Sequence, residues 1–165
     1  MLRIGGKHVS QCFGIAKMTS DFRGMEKNLS LQNVINAVRE FHDAFKISNS
    51  DRPNARLMED EVTLRYRLMA EENDEYLEAA KAGDMVEIAD ALGDQLYILC
   101  GTILRHGMQD VIEEVFKEIQ ASNMSKLGAD GKPIYREDGK VMKGPNYFKP
   151  NIKRAMDNAL TELES

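Results

Sequence analysis

The chain has 165 residues, of which 42% are hydrophobic and 30% are charged, and its formal net charge at pH 7 is −5. This length suits one domain with its own core, and the composition is ordinary for a soluble globular protein. The net negative charge argues against a nucleic-acid-binding surface. The stretch LYILCGTIL at 96–104 is apolar but far too short to span a bilayer.

The N-terminus carries no long apolar region of the kind found in signal peptides. The two cysteines, Cys12 and Cys100, are too few for a disulfide framework. We therefore expect a cytoplasmic protein whose partners include neither nucleic acid nor a membrane.

Hydrophobic periodicity predicts helices through most of the chain. Residues 1–29 show no sustained period and are interrupted by glycines, so we interpret them as an N-terminal arm of uncertain order. Four amphipathic helices follow, and Gly83 and Asp84 fit as the end of the second helix and the start of the third. The four are expected at residues 31–46, about 55–82, 85 to about 107, and 111 to about 121, with Asp110 as the N-cap of the fourth.

The composition changes after the fourth helix. Residues 122–150 are rich in Gly and Lys, and the segments on either side of Asp138 and Gly139 predict a small β-hairpin. Pro150 then begins a last helix. The fold class is therefore all-α: one domain over 30–165, with a four-helix-bundle core, a short β-hairpin or loop arm near the C-terminus, and a final helix.

Carboxylates recur at helical spacing on both sides of the connection between the second and third helices. Glu72 and Glu75 lie three residues apart, as do Glu87 and Asp90, and Asp94 follows four residues later. The short connection makes the two helices antiparallel neighbours. Because clustered, partly buried carboxylates require cations, we interpret the set as a divalent-metal site.

The ligand types indicate which metal this site prefers. All candidates are carboxylates, which favours Mg²⁺, with Mn²⁺ as the alternative, over zinc. A di-iron bundle needs Glu-x-x-His pairs, and the sequence has none. His42 and His106 are isolated and are interpreted as structural or surface residues.

The same residues resemble a known superfamily. The motifs EE-x-x-E at 71–75 and E-x-x-D at 87–90 are similar to those of the all-α nucleoside triphosphate pyrophosphohydrolases. That group includes MazG-like proteins, dimeric dUTPases and phosphoribosyl-ATP pyrophosphohydrolase. The segments SNMSKL at 122–127 and KGPNYFKP at 143–150 resemble one MazG-related subgroup, and the resemblance covers residues 31 to 152.

The resemblance implies a reaction, an assembly and a set of residues. The reaction is the magnesium-dependent hydrolysis of a (deoxy)nucleoside triphosphate to a nucleoside monophosphate and pyrophosphate, and the assembly is a homodimer or homotetramer. Ala91 stands where many MazG proteins have Glu, so Asp94 is interpreted as an additional ligand or a neighbouring acid. The implied metal ligands are Glu72, Glu75, Glu87, Asp90 and Asp94, and the implied water-activating residues are Glu71 and Glu75.

The basic segment 122–150 is interpreted as a phosphate-binding arm, with a solvated basic loop as the alternative. Lys126 and Lys143 would offset charge on the departing pyrophosphate. The expected phosphate- or nucleotide-binding residues are Asn123, Ser125, Lys126, Lys143 and Tyr147.

Three questions stay open from the sequence. The base pocket would involve the first and third helices, through Phe41, His42 and Tyr97, but its preference is undetermined. Phosphoribosyl-ATP is an alternative substrate. A helical binding module without enzymatic activity is the alternative from another functional class.

Overall fold

The computed structural model describes residues 29–164, so nearly all of the expected N-terminal arm lies outside the described residues. Within 29–164 the chain forms five helices and no named strand, which confirms the all-α prediction. No helix in this range has both the length and the apolar character needed to cross a bilayer. The helices are α1 (Leu31–Ala44), α2 (Glu59–Ala82), α3 (Met85–Arg105), α4 (Ile112–Met124) and α5 (Ile152–Glu164).

The turn between α2 and α3 is capped on both sides, as predicted. Gly83 ends α2 with a φ of 71°, a left-handed conformation that favours glycine. Asp84 begins α3, where its Oδ1 accepts hydrogen bonds from the backbone N–H groups of Val86 (3.0 Å) and Glu87 (3.3 Å). This tight connection returns the chain on itself, so α2 and α3 pack against each other along their length.

The hydrophobic core joins α1 to the C-terminal half of α3. Ile35 and Val38 of α1 pack against Cys100, Ile103 and Leu104 of α3, and all five are buried. Burial of these apolar side chains is the main stabilising contribution in this part of the fold.

The apolar side chains in the N-terminal half of α3 are only partly covered. Leu92, Leu96 and Leu99 remain about half exposed, with exposed fractions of 49%, 44% and 46%. The segment 96–104 is apolar nearly all round, which predicts burial on every side. In a single chain this holds for Cys100, Ile103 and Leu104 but not for Leu96 and Leu99. The reason is that the core residues of α1 meet α3 only from Cys100 onward.

The loop between α1 and α2 crosses the C-terminal end of α3. Ser50 donates from its backbone N–H to the carbonyl of Leu104 (3.0 Å), and Asn54 donates to that of His106 (2.9 Å). Gly107 has a φ of 63°, and a Cβ there would come within 2.0 Å of the Arg52 carbonyl oxygen, so only glycine allows this approach.

Two predicted helix starts are displaced. The second helix begins at Glu59 rather than near Ala55, because the Asn54 side chain accepts from the Arg56 N–H (2.8 Å) and holds a turn there. The fourth begins at Ile112 with Val111 as its N-cap. Asp110, the expected cap, instead accepts from the Gln109 side chain at 3.5 Å.

Where a β-hairpin was expected, the structure has a single isolated antiparallel bridge between Tyr135 and Val141 and no named strand in the described residues. Its turn closes through Arg136 N–H to the Lys140 carbonyl (2.8 Å), with Gly139 at a φ of 82°. The last helix is present as expected and begins at Ile152.

The buried ion pair between Arg105 and Glu61 ties the C-terminal end of α3 to the first turn of α2. Arg105 also donates to Ser48, and its side chain is only 10% exposed, against 32% for Glu61. We expect Glu61→Gln to lower the free energy of unfolding by about 2 kcal/mol, because it leaves a desolvated guanidinium without its counter-charge. Chemical denaturation measures this change.

Asp157→Asn is the matched control, since Asp157 pairs with Lys153 on the exposed surface of α5. It should cost less than about 0.5 kcal/mol. Equal effects of the two substitutions would contradict a structural role for the Arg105–Glu61 pair.

Candidate active site

The facing sides of α2 and α3 define a seam in which the two helices run antiparallel. At one end Glu61 of α2 pairs with Arg105 of α3. Further along, the side chain of Gln95 on α3 donates to the backbone carbonyl of Glu72 on α2 at 3.2 Å. These two contacts set the register, so Glu72 lies beside the middle of α3, near Asp94, the last acid of the second set.

Glu72 is a buried carboxylate, with 7% of its surface exposed. Its Oε2 has no hydrogen-bond partner within the described part of the chain. Burial raises the pKa of Glu72 above its usual value, and the negative charges of Asp94, Glu75 and Glu71 raise it further. A bound cation would stabilise a buried carboxylate that can only accept hydrogen bonds and that lies beside other acids, because it neutralises the charge.

The other predicted ligands are more open. Asp94 is half-buried on α3 and acts electrostatically on both Glu72 and Tyr97. Across residues 29–164 no three His, Cys, Asp or Glu side chains lie close enough together to hold a metal ion. The structure thus brings Glu72 and Asp94 into one electrostatic neighbourhood, and the full ligand set stays a prediction. The remaining predicted site residues are exposed: Glu71, Glu75, Glu87 and Asp90.

The chemistry of this seam fits a hard divalent cation. The candidate donors are all carboxylate oxygens, which Mg²⁺ and Mn²⁺ prefer. Such an ion would bind the Oε2 of Glu72, which has no hydrogen-bond partner among the described residues.

Aromatic side chains lie next to the acids, between α1 and α3. The rings of Phe41 and Tyr97 meet edge to face, with centroids 5.7 Å apart and an interplanar angle of 81°. Burial raises the pKa of Tyr97, and the charge of Asp94 raises it further. Of the three residues expected at the base pocket, Phe41 and Tyr97 are partly accessible, whereas His42 is buried.

The two motifs of the basic segment pack together at the end of α4. The backbone N–H of Gly144 donates to the Lys126 carbonyl at 2.9 Å. The Lys126 Nζ donates to Asn123 Oδ1 at 2.7 Å, and the Lys143 Nζ lies 4.2 Å from the centroid of the Tyr147 ring. Both ammonium groups therefore have neutral partners, and their positive charge remains uncompensated by these contacts.

Ser125 has a structural part in this arrangement. Its hydroxyl donates to the Ser122 carbonyl (2.7 Å) and accepts from the Phe148 N–H (3.2 Å). The Ser122 hydroxyl donates to the Phe148 carbonyl at 2.9 Å. The serines of SNMSKL thus fix the returning arm onto α4.

Sequence reasoning missed Gln95 and Arg65 as residues of the seam. A signal for Arg65 was available, because seven residues separate it from Glu72, which places both on one face of α2. No local pattern marks Gln95, whose contact depends on the register between the helices.

A family model supports the motif analysis. The model described as "Phosphoribosyl-ATP pyrophosphohydrolase" matches residues 38–123, which contain both acidic motifs and all of α2 and α3. The chain belongs to the phosphoribosyl-ATP pyrophosphohydrolase family. This membership confirms the resemblance to the nucleoside triphosphate pyrophosphohydrolase superfamily and makes the protein a pyrophosphohydrolase by family.

A solved structure is also similar to this chain. It is the 1.78 Å crystal structure of a protein from Exiguobacterium sp. 255-15 whose proposed activity is NTP pyrophosphohydrolase. The two share 27% sequence identity over 79% of this chain and 98% of that chain, with a TM-score of 0.43. No curated protein sequence matches this chain.

The buried charge of Glu72 predicts a conflict between stability and activity. Because the folded state raises the pKa of this carboxyl, the wild type loses stability as pH rises from the ordinary glutamate pKa of about 4.3 through the folded value. Glu72→Gln removes that charge. In metal-free buffer at pH 7 the variant should therefore melt above the wild type, and the difference should shrink toward pH 4.5.

The control is Glu78→Gln, a substitution on the exposed side of α2. It should leave the pH dependence of the melting temperature unchanged. A Glu72→Gln variant less stable than the wild type at every pH would show that the buried charge is already compensated.

Proposed function

We propose that the protein hydrolyses a (deoxy)nucleoside triphosphate to the nucleoside monophosphate and pyrophosphate, using Mg²⁺ or, as the alternative, Mn²⁺. The observation that carries this proposal is Glu72, a buried carboxylate with an unsatisfied oxygen beside Asp94 in the α2–α3 seam. Family membership supports the pyrophosphohydrolase reaction, and the all-carboxylate donor set supports the metal.

In this proposal the carboxylates of both helices hold the ion. Glu72 supplies the buried ligand, Asp94 the half-buried one on α3, and Glu75, Glu87 and Asp90 the more exposed ones. When bound, a divalent ion neutralises phosphate oxygens and lowers the pKa of water.

The chain's own residues then supply proton transfer and charge. Glu71 or Glu75 accepts a proton from the water that attacks the α- or β-phosphorus, since both are exposed and open to substrate. Attack at the α-phosphorus breaks its bond to the α–β bridging oxygen, and pyrophosphate leaves with the electron pair. Attack at the β-phosphorus breaks the bond between that phosphorus and the same oxygen, and the nucleoside monophosphate leaves instead. Lys126 and Lys143, which contact the neutral groups of Asn123 and Tyr147, offset the charge that develops on the pyrophosphate.

We also propose that the active form is a homodimer or homotetramer. The half-exposed leucines of α3 and, on α2, the exposed Tyr66 are apolar side chains that a single chain leaves open to water. A second copy packed there would complete a four-helix-bundle core and bring further acids to the seam. This supports the assembly that the motif resemblance implies.

Phosphoribosyl-ATP is the second candidate substrate, favoured by the description of the matching family model. It also carries a phosphoanhydride next to a nucleoside, so the same carboxylates would serve it. The base preference is a property of the pocket near Phe41 and Tyr97.

The proposed reaction is tested by incubating the protein and Mg²⁺ with canonical, deoxy- and modified nucleoside triphosphates and with phosphoribosyl-ATP. We expect pyrophosphate release from at least one, with Glu87→Ala lowering kcat/KM by more than about 100-fold because a metal ligand is lost. Pyrophosphate and orthophosphate are assayed separately. Glu78→Ala, on the exposed side of α2, should retain full activity.

Orthophosphate as the main product would overturn the assigned bond cleavage. Failure of every substrate with both metals would leave the helical binding module as the better description. Release from phosphoribosyl-ATP alone would select the second candidate substrate.

The arm gives a separate prediction about leaving-group charge. Lys143→Gln removes the ammonium that lies over Tyr147, and we expect kcat/KM to fall by about tenfold through weaker charge stabilisation. Lys140→Gln, in the exposed bridge region, is the charge-matched control and should change kcat/KM less than about twofold. Equal losses in both variants would indicate a general charge effect of the arm.

A further inference from the structure

Arg65 is a partly buried cation that forms no salt bridge within the described residues 29–164. Its side chain lies on the α3-facing side of α2, and its Nε has no hydrogen-bond partner among the residues that the structure describes. Burial lowers the pKa of its guanidinium, which reflects lost hydration. The neighbouring carboxylate one turn away, Glu61, is already paired with Arg105.

The backbone of α3 makes room for this guanidinium at Gly101. A Cβ at this position would lie 2.9 Å from Arg65 Nη1 and 3.1 Å from His42 Nε2. Any larger residue would therefore have to displace the arginine.

His42 contributes no negative charge to Arg65. Its Nδ1 lies 2.6 Å from Asn49 Oδ1, and since an amide oxygen can only accept, this nitrogen carries the hydrogen. Burial lowers the pKa of His42 and the charges of Arg65 and Arg105 lower it further, against the opposing effects of Asn49 and Asp43. His42 therefore offers the guanidinium no counter-charge.

The position of Arg65 relative to the acids indicates what it would bind. Arg65 and Glu72 lie on one face of α2, two turns or about 10 Å apart. A ligand with its own negative charge can reach both a cation held at Glu72 and the guanidinium. Arginine presents several donors in a planar fork that matches phosphate oxygens.

We propose that Arg65 binds a phosphate group of the substrate's polyphosphate chain within the α2–α3 seam, as a second anchor opposite the carboxylate end. This inference rests on the proposed function for the identity of the substrate. Contacts to both ends of the polyphosphate chain would then come from α2, and the role of Arg65 would be distinct from that of the lysines of the arm.

The first test measures binding of inorganic tripolyphosphate by calorimetry in EDTA, so that neither metal nor hydrolysis contributes. Arg65→Gln should weaken binding by at least about tenfold, as expected for the loss of a charge-assisted hydrogen bond. Arg67→Gln is the matched control, because Arg67 is exposed on the same helix. It should bind like the wild type, and equal affinities in the two variants would overturn the proposal.

Arg65→Lys separates binding from folding. Lysine keeps the charge without the planar fork, so its affinity should lie between those of the wild type and Arg65→Gln. Melting curves without ligand show whether each variant is folded. If Arg65→Gln fails to fold, wild-type affinity in Arg65→Lys would contradict the fork geometry, and an affinity at least about threefold weaker would support it.

The second test uses steady-state kinetics on whichever nucleotides the wild type hydrolyses. Arg65→Gln should raise KM by about tenfold for all of them, with kcat changed less than about threefold. A KM increase that differs strongly between bases would mean that Arg65 contacts the nucleobase and would overturn the phosphate assignment.

The two proposals fail in different ways. A wild type that hydrolyses no nucleotide contradicts the proposed function, while tripolyphosphate binding still decides the role of Arg65. A wild type that releases pyrophosphate while Arg65→Gln matches Arg67→Gln in both tests overturns only the Arg65 assignment.

Discussion

The antiparallel register of α2 against α3 is the constraint on which the candidate site depends. It is held at one end by the capped turn through Gly83 and Asp84, and at the other by the Arg105–Glu61 ion pair. Because the helices are rigid, fixing these ends also determines which residues of α2 and α3 face each other between them. Glu72 is thereby placed near the acids of α3.

The seam changes character along its length. Toward the C-terminal end of α3 it adjoins an apolar core shared with α1, and toward the N-terminal end it becomes acidic. A carboxylate such as Glu72 is destabilising where it lies, since burial and its neighbours raise its pKa. Residues that weaken the fold while fitting a ligand are expected at functional sites. The half-buried guanidinium of Arg65 is likewise a charge that costs stability where it lies and would suit a ligand of opposite charge.

The basic arm follows a different principle, because local contacts hold it together. Ser122 and Ser125 hydrogen-bond to the backbone of Phe148, and Gly144 approaches the end of α4 so closely that a Cβ would lie 2.0 Å from the Leu127 carbonyl oxygen. These contacts explain physically why two motifs twenty residues apart along the chain form one structural unit. The arm can therefore present its lysines without depending on the α2–α3 seam.

The sequence by itself determined the all-α class, the α2–α3 turn and the family, because each depends on spacing or on residues adjacent in the chain. Helical periodicity identified the first four helices and Pro150 the last one. Gly83 and Asp84 identified the turn, since caps are local hydrogen-bonding features. Its errors were also local: the Asn54 turn delays α2, and the side chain of Asp110 accepts from Gln109 in place of capping α4.

Only the tertiary structure decided which face of each helix is covered and by what. The apolar pattern runs through all of α3, yet the buried cluster that α3 shares with α1 begins only at Cys100. Likewise, the spacing of the acids placed Glu72 and Glu75 together, but only packing distinguishes the buried one from the exposed one. The significance of Arg65 depends on Gly101, thirty-six residues away in the sequence. Burial and counter-charge are properties of neighbours in space, and no pattern within one helix specifies them.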